Sequence, residues 1–128
     1  MRKTSTYLGL LILANFFSYA AFAGNDKIKT PVRASYSNHV FHQYTLVLEG
    51  VNRDELKAFL ASNNIPSMIY YPVPGHKQKM FSQFKVDSLE MPVTDWLTER
   101  VISLPIHTEM ENEQLTFISS KVLEYINQ

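Results

Sequence analysis

The chain has 128 residues, of which 45% are hydrophobic, and twelve basic and twelve acidic side chains give it a formal net charge of zero. This length and apolar content fit one domain with a modest core and exclude a disordered tail. The balanced charge leaves no footprint for nucleic acid or an anionic membrane surface. Because cysteine is absent, any catalysis must come from His, Tyr, carboxylates or a cofactor.

Residues 1–23 form an apolar N-terminal segment with two alternative interpretations. Arg2 and Lys3 precede an apolar run, and Ala21-Phe22-Ala23 stands before Gly24, a pattern typical of a cleaved secretory signal peptide. The alternative is the remnant of an amphipathic helix, because apolar residues recur at helical spacing. In either case the run is short for a bilayer, so no stable membrane span is expected.

Residues 24–38 are polar and are predicted to connect this segment to a domain over residues 39–128. Residues 40–49 are rich in β-branched and aromatic side chains, which predicts a strand. The alternation of such a strand places three large side chains on one face: Tyr44, Leu46 and Leu48.

Further elements follow in the order helix, strand, short helix, helix, strand, helix. Asn52 with Glu55 predicts the start of a helix that ends near Asn63. Residues 65–71 are predicted as a second strand and residues 76–84 as a short helix.

The last three predicted elements complete an α/β (α+β) fold, a short sheet with helices packed on one face. Thr94 is predicted to cap a helix, and residues 102–104 form a third extended piece before a proline. Thr108 with Glu111 predicts a capping box for the final helix. That helix is expected to bury Leu115, Ile118, Val122 and either Tyr125 or Ile126.

Residues 70–76, Tyr-Tyr-Pro-Val-Pro-Gly-His, form the segment that we call the tyrosine turn. Its two prolines restrict themselves and the residues before them, so the turn is expected to be rigid. In a strand, Tyr70 and Tyr71 point to opposite faces, which predicts one ring in the core and one outward. His76 is either a surface histidine or, at a helix start, a contact for an anionic ligand.

The other histidines give no metal site. His39 and His42, three apart in a strand, face opposite sides of the sheet, so they are not expected to share a metal ion. His107 is expected to be an exposed loop residue. The sequence contains no glycine-rich phosphate loop, nucleophile elbow or His-Glu-x-x-His motif.

Several motifs stand together in register: His39-Val-Phe-His-Gln-Tyr-Thr45, Arg53-Asp-Glu-Leu56, Ile65-Pro66, Tyr70-Tyr-Pro-Val-Pro-Gly-His76, and Leu104-Pro-Ile-His107 with Glu113-Gln114. Over about residues 27–128 they resemble the C-terminal domain of the DegT/StrS-type nucleotide-sugar aminotransferases. Members of that family are pyridoxal-phosphate (PLP) enzymes of aminotransferase fold type I that make amino sugars for surface polysaccharides. The resemblance implies amino transfer to a keto sugar nucleotide.

The resemblance implies that Tyr70, Tyr71 and His76 are substrate-binding residues that reach the active site from the small domain. The Tyr-Tyr-Pro form of the turn is most similar to the branch acting on UDP-linked 3-keto hexuronic acids, the UDP-2-acetamido-2-deoxy-hexuluronate aminotransferases. No catalytic residue and no metal ligand is assigned to this chain.

In the family, a large N-terminal domain carries the Schiff-base lysine and the phosphate cradle, and nothing in this sequence matches it. Lys77 and Lys79 do not correspond to the family's lysine. The chain is therefore expected to be a truncated member that binds no PLP alone and is inactive by itself.

The resemblance also bears on location and partners. A cytoplasmic chain is expected, with export as the alternative if residues 1–23 act as a signal peptide. A homodimer or a pairing with an intact aminotransferase is expected. The alternative function is a non-catalytic exported or partner-binding α/β domain.

Overall fold

The computed structural model describes residues 20–37 and 41–128, and position 87 by its backbone alone. The predicted N-terminal helix and signal pattern lie outside the described residues except at residues 20–23. Residues 20–22 are helical, and Phe22 is buried in the core. Among the helices described, none is long and apolar enough to cross a membrane.

Three antiparallel strands form the sheet of the described region, in the order β1 (Ile28–Lys29), β2 (Tyr44–Leu48), β3 (Val101–Leu104). Leu46 pairs with Ile102 at the centre of this register. The predicted shared face of β2 is confirmed, since its three large side chains are all buried while the residues between them are half-buried. Strand β2 is shorter than the predicted 40–49, and β1 lies in the segment predicted to be only a connection.

Helices α1 (Arg53–Ser62) and α3 (Asn112–Ile126) pack against the buried face of the sheet. The predicted start of α1 is confirmed, because the Asn52 side chain accepts hydrogen bonds from the amides of Asp54 and Glu55. Their shared core contains Tyr44, Leu46, Leu48, Leu56, Leu60, Ile102, Val122 and Ile126. Of the two predicted alternatives near the C-terminus, Ile126 is buried and Tyr125 is half-buried. Ile118, for which burial is predicted, is half-buried as well.

Two predicted helix caps are wrong. Helix α2 (Pro92–Arg100) begins before Thr94, with Met91 at the N-cap and proline at the first helical position, where its missing N–H costs nothing. Helix α3 has its capping box at Glu111 and Gln114 instead of Thr108 and Glu111. The amide of Glu111 donates to Gln114 Oε1 at 2.9 Å.

The predicted strand over 65–71 is also wrong. It is reduced to one bridge, in which Met68 and Ser103 exchange backbone hydrogen bonds of 2.8 and 2.9 Å. Prolines on both sides of this bridge remove the amide donors that a longer ladder would need. The predicted helix over 76–84 is instead a pair of 3₁₀ helices, Gly75–Lys77 and Lys79–Phe84.

Candidate functional site

The tyrosine turn projects both of its aromatic rings outward. Tyr70 is 50% exposed and Tyr71 is 75% exposed, so the prediction that one ring packs in the core is wrong. The strand alternation on which that prediction rested stops at the Met68 bridge. Beyond the bridge Pro72 redirects the chain, so Tyr70 and Tyr71 do not follow the alternation of a strand.

These two rings line an open groove of about 490 Å³ together with Pro72, Val73, Lys77, Gln78 and Lys79. Aromatic faces stack well on a base or on the apolar face of a sugar. The ammonium group of Lys79 supplies positive charge for a phosphate or carboxylate, whereas that of Lys77 is paired with a carboxylate of the chain, that of Asp95, at 2.8 Å. The groove therefore combines the two kinds of contact that an anionic, ring-containing ligand requires.

His76 is the last residue of the tyrosine turn, and its side chain is only 3% exposed. The interpretation as a surface histidine is therefore wrong. Its Nε2 stands 3.4 Å from Oδ1 of Asp95, and Nζ of Lys77 stands 2.8 Å from the same oxygen. Asp95 belongs to the first turn of α2, so this carboxylate joins the tyrosine turn to a helix almost twenty residues further along the chain.

Tyr70 also lines a second groove, of about 280 Å³. His42 and His107 line it, and both are exposed, as predicted for His107. Oγ of Ser67 lies buried against this groove and has no hydrogen-bond partner among the described residues. Tyr70 thus lines two grooves, one shared with lysines and the other with histidines.

Asp95 and Ser67 were missed by sequence analysis. Asp95 carries a weak signal, since acidic residues are common in the first turn of a helix for reasons of the helix dipole. Its link to His76 depends on the tertiary fold and has no local pattern. A serine flanked by a proline and an apolar residue carries no signal for a buried hydroxyl.

The described residues do not fit PLP. A Schiff-base lysine is activated by a desolvated pocket or a neighbouring cation, but every described lysine is exposed or half-buried. Lys27, Lys29, Lys77 and Lys121 are occupied by hydrogen bonds or ion pairs. In residues 20–37 and 41–128 no group of three His, Asp or Glu side chains could hold a metal ion.

Solved structures share this arrangement of strands and helices. An aminotransferase of the DegT, DnrJ, EryC1 and StrS group from Brucella abortus matches with a TM-score of 0.80 and 27% identity, over 94% of this chain and 31% of that chain. DesV of S. venezuelae, in complex with a ketimine intermediate, matches with a TM-score of 0.84 and 26% identity, over 94% of this chain and 32% of its own. The fold is that of a part of the fold type I aminotransferases.

Comparison of the amino-acid sequence with protein families identifies the family of the chain. Residues 18–123 match the DegT/DnrJ/EryC1/StrS aminotransferase family, and the chain belongs to it. A UDP-N-acetyl-3-dehydro-α-D-glucosamine 3-aminotransferase from Acidithiobacillus ferrooxidans is 40% identical over 104 residues, 81% of this chain and 27% of the relative. The chain thus spans about a quarter of the length of the curated relatives it matches.

Proposed function

We propose that this chain forms the substrate-facing part of a nucleotide-sugar aminotransferase and that its tyrosine turn contacts the sugar nucleotide. The observation that carries the proposal is the exposure of both Tyr70 and Tyr71 on one groove with Lys79. Tyrosines in a rigid turn present large aromatic faces at little cost in conformational entropy. His76 ends the tyrosine turn, is buried and does not line this groove, so its part in the site is to hold the turn in place.

The substrate class in this proposal is a UDP-linked 3-keto sugar. Two relatives support it by their names: the 40% identical enzyme from Acidithiobacillus ferrooxidans and a UDP-2-acetamido-2-deoxy-3-oxo-D-glucuronate aminotransferase from Pseudomonas aeruginosa, 30% identical over 91 residues, 71% of this chain and 24% of that protein. The groove suits such a ligand because a diphosphate can pair with lysine while the sugar or base stacks on tyrosine.

We further propose that residues 1–128 do not carry out amino transfer on their own. PLP supplies the amino-group chemistry in this family, and the described residues lack a lysine in a setting that could hold it. The cofactor-binding residues would then lie outside residues 1–128, in the remainder of an aminotransferase or in a partner that completes the site. Because sugar nucleotides are cytosolic, the proposed location is the cytoplasm.

Titration with UDP-N-acetylglucosamine, a stable nucleotide sugar, tests the site. In chain labelled with 3-fluorotyrosine, ¹⁹F NMR should show saturable shifts of the Tyr70 and Tyr71 resonances, each assigned by its Tyr→Phe variant. Tyr71→Ala should weaken binding about fivefold or more, because stacking of one base on an aromatic ring contributes about 1–3 kcal/mol.

The matched control is Tyr36→Ala, which removes an even more exposed ring outside the groove and should leave the affinity unchanged. If the Tyr71→Ala and Tyr36→Ala chains bind equally well, or if only Tyr36 responds to the ligand, the tyrosine turn is not the nucleotide-sugar site.

A further inference from the structure

We infer that Asp95 is a positioning residue for the tyrosine turn: its carboxylate clamps the turn to helix α2 through His76 and Lys77. The inference rests on the proposed function, because what the clamp positions is the substrate-facing pair of tyrosines. Three residues make up this clamp, which we call the Asp95 clamp: His76, Lys77 and Asp95.

The clamp joins two elements that share no strand ladder. His76 and Lys77 belong to the 3₁₀ helix Gly75–Lys77, which directly follows the two prolines, whereas Asp95 belongs to α2. One carboxylate oxygen faces both partners, at 3.4 Å from His76 Nε2 and 2.8 Å from Lys77 Nζ. A carboxylate in the first helical turn is itself stabilised by the helix dipole, so it is a firm point of attachment.

Burial of His76 makes this attachment more than a surface ion pair. Within the described region neither the ring nitrogens of His76 nor Oδ1 of Asp95 have a hydrogen-bond partner, so the 3.4 and 2.8 Å separations are charge contacts. A buried polar ring without such partners is costly, and Asp95 is the group close enough to compensate it. A movement of a few tenths of an ångström would bring 3.4 Å into ordinary hydrogen-bond range.

Lys77 carries the effect to the groove. Its side chain lines the same groove as Tyr70 and Tyr71, while its ammonium group is paired with Asp95 on the helix side. Asp95 therefore fixes where the positive charge stands relative to the two rings. Without that carboxylate, His76 and Lys77 lose these two contacts with α2.

The experiment compares Asp95→Asn with Asp95→Glu in the full 128-residue chain, again labelled with 3-fluorotyrosine. Without ligand, Asp95→Asn should move the Tyr70 and Tyr71 resonances and leave that of Tyr36 unchanged. It should weaken binding of UDP-N-acetylglucosamine by about two- to fivefold, the scale of one partly exposed ion pair. Asp95→Glu keeps the charge and should restore most of both signals.

Asp54→Asn is the matched control, since Asp54 also lies in the first turn of a helix and pairs with a cation, Arg53, at 2.9 Å. It should change neither the tyrosine resonances nor the affinity. Lys77→Gln provides a second route if Asp95→Asn fails to fold, because it removes an exposed partner of the clamp and should move the same two resonances.

The clamp and the proposed function can fail separately. Unchanged Tyr70 and Tyr71 resonances in Asp95→Asn, or in Lys77→Gln if Asp95→Asn does not fold, overturn the clamp even where the wild-type chain binds the ligand. The clamp is also overturned if Asp95→Glu fails to restore the tyrosine resonances and the affinity. The negative charge of the carboxylate would then not be what holds the turn. If the ligand does not shift the Tyr70 and Tyr71 resonances of the wild-type chain, the proposed function fails. The spectra without ligand still report on the clamp.

Discussion

The side chain of Tyr125 joins the end of α3 to α1 through two contacts. Its hydroxyl donates a hydrogen bond to Glu55 Oε2 at 3.0 Å, and its ring lies 5.4 Å from that of Phe59. Burial raises the pKa of Tyr125 above the usual 10.0, and the hydrogen bond to Glu55 and the negative charge of Glu55 raise it further. All three causes favour the neutral phenol in the folded chain.

This pKa shift predicts a loss of stability in alkali. An unfolded tyrosine ionises first, so the stabilisation is fully present below about pH 10 and is lost as the pH rises through the raised folded pKa. Wild-type chain should therefore lose more of its free energy of unfolding than Tyr125→Phe between about pH 8 and about pH 11.5, measured by urea denaturation. Tyr36→Phe, at an exposed tyrosine, should behave like the wild type. If the wild type and Tyr125→Phe lose the same free energy of unfolding, the raised pKa of Tyr125 is not the cause of the loss.

Elements with a clear hydrophobic period could be predicted from sequence, and those defined by single bridges or turns could not. The repeated apolar residues of α1 and α3 and the alternation of β2 identify their faces, because each is long enough to show its period. Strand β1 has two residues and no period. The segment 65–71 has strand-like composition, but its flanking prolines leave it one bridge.

The candidate site, too, could be predicted from sequence only in part. Tyr70 and Tyr71 could be predicted from the family resemblance, but their joint exposure depends on where the neighbouring strand stops. Asp95 reaches His76 only because α2 folds back beside the turn, and no local pattern encodes that contact.

The central strand supplies the element-scale test of the core. Leu46 is fully buried in the middle of β2, between the sheet and the two covering helices, so Leu46→Ala should cost about 2–5 kcal/mol of unfolding free energy. Leu89→Ala removes the same atoms at a half-exposed position and should cost under about 1 kcal/mol. Urea denaturation measures both, and equal costs would show that the core does not centre on β2.

At the scale of the whole molecule, one 3₁₀ helix of the described region exposes three large apolar side chains. Met80, Phe81 and Phe84 lie on the 3₁₀ helix that follows the tyrosine turn, and Phe84 is 65% exposed. Contiguous apolar side chains in water mark sites of protein association. This surface is consistent with the proposed pairing with a second copy or with an intact aminotransferase.

We expect the purified chain to self-associate as its concentration rises. Sedimentation velocity over about a hundredfold range of concentration should show an increasing sedimentation coefficient. Phe84→Gln should raise the dissociation constant about tenfold, since burial of a large apolar side chain contributes about 1.5–3 kcal/mol. Val32→Gln, at a residue that is 89% exposed on the connecting segment, should have no effect. A monomer at every concentration would rule out self-pairing through this surface.

Trapping PLP on lysine tests most directly whether residues 1–128 contact the substrate without carrying out the cofactor chemistry themselves. The 128-residue chain is incubated with PLP and reduced with borohydride, and its peptides are analysed by mass spectrometry; a parallel sample receives glutamate and a UDP-linked 3-keto sugar. We predict no stoichiometric adduct at a single lysine and no amino-sugar product. A single stoichiometric adduct with turnover would contradict the account and make this chain a transaminase by itself.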